Sequence, residues 1–137
     1  MRKCGIWCIC LILALALCAC GRKAGDVSSV KTHEVASDLY TQEDIDAAMA
    51  VIEEVFAADF SGCTLTELYY AGDEETIAHE DWAARINGDE VLVLLSSFDV
   101  DSSGGDGSLN PNSTYEGWNW ILARTNGGQW QHVDHGY

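Results

Sequence analysis

Large apolar residues recur at Ile45, Met49, Ile52, Phe56 and Phe60. That is the spacing of one face of an α-helix. Such a face has to be covered by another layer, so the stripe fixes one half of the core before anything else is known. The start of the helix is marked too. Thr41 can cap it, Asp44 answers three residues later as a variant capping box, and Tyr40 and Ile45 stand where a hydrophobic staple would form. Gly62 is placed to end it.

The covering layer is expected to be a sheet. Residues 64–71, Thr-Leu-Thr-Glu-Leu-Tyr-Tyr-Ala, are rich in β-formers. Residues 91–95, Val-Leu-Val-Leu-Leu, are apolar on both faces, as a central strand covered on both sides would be. A second, short helix is expected over 74–87, with Ile77, Trp82 and Ile86 turned inward and Gly88 closing it. Residues 115–124 and 129–135 read as the last two strands, with Asn126-Gly127 as the hairpin turn between them. The expected architecture is therefore α+β: a long N-terminal helix packed on a curled antiparallel sheet of about four strands, in one domain spanning 39–137.

Covalent cross-links do not hold this domain together. Of six cysteines, Cys4, Cys8, Cys10, Cys18 and Cys20 precede it, and only Cys63 lies inside it. Cys63 reads as a small buried hydrophobe.

The N-terminus reads as an export and anchoring signal. Met1-Arg2-Lys3 is a short basic start, and residues 6–19 are an almost uninterrupted apolar run. That run is short for a membrane span, which needs about 20 residues, and suits a signal peptide over 1–19. Leu17-Cys18-Ala19-Cys20 resembles a lipobox, which implies cleavage before Cys20 and a diacylglycerol on its sulfur. The implied location is the outer face of the cell membrane. Residues 21–38 are small and polar and read as a flexible linker.

The chain carries a formal charge of −15, and the part from Cys20 onward has five basic against 22 acidic residues, a net of −17. Such a surface repels phosphate backbones, which argues against nucleic-acid binding and favours cations or cationic peptides.

Three groups of residues could carry chemistry. Residues 99–110 match a calcium loop in part, with Asp99, Asp101, Ser103 and Asp106 as candidate oxygen ligands. Position 12 of that loop is Asn110 where a bidentate Glu is wanted, so an EF-hand is excluded. A symmetric hairpin pairs residues whose numbers sum to 253. It places Asn119, Trp130, His132 and Asp134 on one face as a candidate binding surface, with His135 on the other face beside Trp118 and Trp120. Trp82, Trp118, Trp120 and Trp130, with Tyr69 and Tyr70, could stack on a sugar or peptide, though so small a core needs most of them. No phosphate loop, catalytic triad, CxxC or HExxH occurs.

The ending Trp118-Asn119-Trp120-Ile121-Leu122-Ala123-Arg124, Gly127-Gly128-Gln129-Trp130 and Val133-Asp134-His135-Gly136-Tyr137, together with residues 94–99, resembles small uncharacterised lipoproteins of Gram-positive bacteria of the DUF4829 type. The resemblance implies a cystatin-like or NTF2-like fold over roughly 40–137 and an envelope location, and it implies no reaction. The reading is of a non-enzymatic surface lipoprotein that binds an extracellular protein, peptide or glycan, the alternative being calcium-supported carbohydrate or peptide binding. The anchor has a direct test: incorporation of a labelled lipid precursor should be lost in Cys20→Ala.

Overall fold

The computed structural model describes residues 25–137. The expected signal peptide 1–19 and the candidate lipidation site Cys20 lie outside the described residues. Five strands form one mixed sheet in the order β1-β2-β3-β4-β5. They are β1 (Lys31–His33), β2 (Cys63–Tyr70), β3 (Glu90–Val100), β4 (Thr114–Arg124) and β5 (Gln131–Gly136). β1 runs parallel to β2, and every other pairing is antiparallel. Helix α1 (Gln42–Asp59) covers one face; α2 (Asp73–Ala78) and the 3-10 helix Glu80–Ile86 cover the other.

The α+β class is as expected, and the sheet differs in two ways: it has five strands, and one of its pairings is parallel. The added strand comes from residues expected to be linker. Asp26 bridges to Thr64, and Lys31, Thr32 and His33 pair with Glu67, Leu68 and Tyr69. Gly25 N–H donates to the Ala57 carbonyl at 3.0 Å, and a Cβ on Gly25 would lie 2.3 Å from the Phe56 carbonyl oxygen. Only glycine can approach the end of α1 so closely. Val27, Val30 and Val35 pack against the main core. The strand left no alternation to read because all three of its residues are exposed at a sheet edge.

The α1 stripe is buried as its spacing predicts, against Leu65, Leu68, Tyr70, Leu92, Leu94, Phe98, Trp120 and Leu122. The capping box is present: Asp44 N–H donates to Thr41 Oγ1 at 3.2 Å, and Thr41 N–H donates to Asp44 Oδ2 at 3.3 Å. Val91 and Val93 face the second layer with Ala83, Ile121 and Ala123, while Leu92 and Leu94 face α1, so β3 is covered on both sides. The expected second helix is broken in two at His79, and Asn87, in the left-handed region at φ 54°, ends it one residue before Gly88. Ile77 is exposed rather than inward. Among the described residues no helix is long and apolar enough to cross a membrane.

One ion cluster joins the layers. Arg124 at the end of β4 donates from Nε to Glu90 Oε2 (2.6 Å), from Nη2 to Glu90 Oε1 (3.3 Å) and from Nη1 to Asp44 Oδ1 (3.1 Å). Its guanidinium lies 4.2 Å from the centre of the Trp130 ring, and Trp130 Nε1 donates to the Asp44 carbonyl at 3.1 Å. Burial disfavours the Asp44 carboxylate, but hydrogen bonds from Arg124 and Thr41 outweigh it and hold its pKa below the usual range. Arg124 is 11% exposed and its two carboxylate partners about a third exposed. The cost of removing it should lie between that of a buried and a surface pair. Arg124→Met should lower the free energy of unfolding by about 2–3 kcal/mol in urea denaturation.

Candidate functional site

The hairpin that was to carry the binding face has a different register. Asn126 and Gly127 both have positive φ, and Gly128 N–H closes the turn on the Thr125 carbonyl at 3.0 Å, as the Asn-Gly pair predicts. Trp130 then leaves the ladder to reach Asp44, so Ala123 pairs with Gln131 and Leu122 with His132. A bulge follows between Ile121 and Leu122, after which Ile121 pairs with Asp134 and Trp120 with His135. The expected pairs Ile121–His132 and Asn119–Asp134 are not formed.

The slip breaks up the expected face. Asn119 and Asp134 line a hollow of about 160 Å³ with His79 and Trp82, on the side of the 3-10 helix. Arg85 lies 3.6 Å above the Trp82 ring and 3.4 Å from Asp134 Oδ2. Trp130 and His132 are on the α1 side. His135 is there as well, stacked at 5.8 Å on Trp118 and 5.0 Å from Trp120, which corrects its separation from His132. The two histidines meet edge to edge, His132 Nε2 and His135 Nδ1 lying 3.1 Å apart with ring planes 13° from parallel. One nitrogen of each neutral imidazole can donate, so a single proton can bridge them.

The four candidate calcium ligands also separate. Asp99 and Asp101 line one hollow with Asp26, a residue the loop pattern could not include. Asp99 Oδ1 accepts from Thr114 Oγ1 at 2.6 Å, and Asp101 Oδ1 accepts from both the backbone and the hydroxyl of Ser103. Asp106 faces a different hollow, its carboxylate accepting from Ser108 N–H at 2.9 Å. Among the described residues no group of three or more His, Cys, Asp or Glu side chains is set to hold a metal ion.

Asp106 belongs to the cleft best equipped to take a ligand. The end of α1 supplies Asp59 and Phe60, the β3–β4 loop supplies Gly105, Asp106, Ser108 and Leu109, and the sheet supplies Trp118 and His135. Ser61 and Cys63 close its floor, and its volume is about 260 Å³. Phe60 and Trp118 meet edge to face at 6.3 Å. The Trp118 indole N–H is buried and has no hydrogen-bond partner. Trp120, by contrast, is fully buried and donates to Ser96 Oγ at 2.8 Å, so it fills the core. Tyr70 and Trp130 are buried too, and Tyr69 stacks on His33 at 4.3 Å. Of the aromatic residues weighed as a sugar platform, only Trp118 lines this cleft. Burial, with the charges of Asp101 and Asp106, pushes the Cys63 thiol up, which makes it a poor nucleophile.

The cleft was hard to see in the sequence. Phe60 and Trp118 read there as core, and Asp59 is one of many helix acids. Its advance signals are Asp106, a candidate oxygen ligand, and Trp118, a candidate stacking platform, on a glycine-rich loop and an aromatic strand. No family model, curated protein or solved structure matches the chain.

The histidine pair gives a pH prediction. Burial, then repulsion from His135, lowers the pKa of His132, while Asp134 and Asp59 pull the other way. As pH falls, the unfolded chain takes up this proton first, near the ordinary value of about 6.5. Stability is therefore full above that value and declines as pH drops below it. The urea midpoint should fall between pH 7.5 and pH 5.5, and His132→Gln should reduce that fall.

Proposed function

We propose that this chain is an exported lipoprotein, anchored through Cys20, whose domain is a non-enzymatic binding module for a cationic peptide segment. Kinship with the NTF2-like lipoproteins of Gram-positive bacteria is part of the same proposal. The observation that carries the binding reading is the cleft, which sets the Phe60 and Trp118 rings beside the Asp59 and Asp106 carboxylates. A lysine or arginine side chain matches such a site: its stem lies on ring faces and its head meets the acids. Charge supports the same ligand. Residues 25–137 hold all 22 acidic residues and only Lys31, Arg85 and Arg124 as bases, a net of −19. Two of those bases are already engaged, Arg124 with Asp44 and Glu90 and Arg85 with Asp134. The non-enzymatic reading is supported by the raised Cys63 thiol.

The test separates the cleft from bulk charge. Titrated with a tetralysine peptide, the double variant Asp59→Asn/Asp106→Asn should bind about fivefold more weakly, two exposed carboxylates being removed from the cleft. The control Glu80→Gln/Asp81→Asn removes the same charge from the opposite layer and should bind almost as the parent does. Equal losses in the two variants would reduce the interaction to net charge and remove the cleft from it.

A further inference from the structure

We propose that His132 and His135 are the protein half of an open site for a divalent transition-metal ion, with copper(II) the best fit, at the rim of the cleft. The proposal starts from strand geometry. Residues three apart on a regular strand point to opposite faces. Here the β4–β5 bulge gives β5 an extra residue, so His132 and His135 share one face. Their facing nitrogens are 3.1 Å apart. Two imidazole nitrogens bound to one ion, each at about 2.0–2.1 Å, are about 2.8–3.0 Å apart at square angles and about 3.3–3.4 Å at tetrahedral angles, so the observed spacing falls between the two. That spacing is within reach of one shared ion lying off the line between the nitrogens, with both rings turned so that their lone pairs meet there.

Carboxylates lie close to the pair: Asp59 lines the same cleft as His135, and Asp134 fixes the strand here, its Oδ1 accepting from His135 N–H at 2.8 Å. An uncharged imidazole is the form that binds metals. Two imidazoles with remaining positions open to water suit borderline ions, and affinity among these peaks at copper. Calcium and magnesium prefer oxygen ligands and should not compete.

The rings around the site supply the readout. Trp120 lies 5.6 Å from His132 and 5.0 Å from His135, and Trp118 lies 5.8 Å from His135. Copper(II) bound there should quench their fluorescence. The experiment uses the full chain in detergent, its accessible thiols alkylated, titrated with copper(II) at pH 7.4. The expected result is saturable quenching at one ion per chain, reversed by EDTA, with an electron paramagnetic resonance spectrum split by two imidazole nitrogens. His132→Gln and His135→Gln should each weaken binding at least about tenfold. Far-ultraviolet circular dichroism of each variant shows whether the sheet is retained, and His135→Gln, at the exposed member of the pair, is the less disruptive. Zinc should bind more weakly, restoring the fluorescence only when present in large excess over copper. Equal copper affinity in parent and folded His135→Gln, or a spectrum with fewer than two imidazole nitrogens, would overturn the proposal.

Discussion

The Arg124 guanidinium is the point on which the two halves of this domain meet. It joins the first turn of α1, through Asp44, to the start of β3, through Glu90, and it lies against Trp130 in the last connection. The two ion pairs join residues 80 and 34 positions apart in sequence. Asp44 is also the N3 partner of Thr41 in the capping box of α1, so one carboxylate serves helix initiation and layer packing together. Tyr40 closes the same corner, its hydroxyl donating to the Val91 carbonyl at 2.7 Å. The register of the whole C-terminal hairpin follows from this corner. Trp130 is drawn out of the ladder to reach it, and the strand beyond resumes one residue later.

That displacement explains much of what could and could not be read from the sequence. Patterns set by local periodicity were legible: the α1 stripe, the capping box, the doubly covered β3 and the Asn-Gly turn all follow from neighbours within a few residues. The hairpin face was not, because its parity depends on a tryptophan binding an aspartate 86 residues away. Strand parity is unforgiving in this respect: a one-residue slip exchanges the faces of everything after it. The bulge then moved the strand by one more residue and brought together two histidines that simple alternation keeps apart.

The candidate site shows the same division. The acids of the 99–110 loop were visible as a ligand-like pattern, but their spacing could not say which hollow each would face. Asp99 and Asp101 turn to Asp26 and Asp106 turns to Phe60 and Trp118, because Gly104, Gly105 and Gly107, all at positive φ, fold the loop back on itself between them. Phe60 and Trp118 read as core because most aromatic residues in so short a domain must be core. Phe60 does belong to the core and Trp118 packs against it, and both also line the cleft where α1 ends.

The docking of Gly25 against the end of α1 has a bearing on distance. An 18-residue linker would let the domain roam about 20–25 Å from its anchor. With Gly25 docked on α1, four residues of sequence lie between it and Cys20. At about 3.3–3.6 Å per residue, that leash reaches at most about 18 Å when pulled straight. With a lipid on Cys20, the protein would sit as a sentry at the headgroup layer rather than a float above it. A ligand would then be met within about one protein diameter of the bilayer.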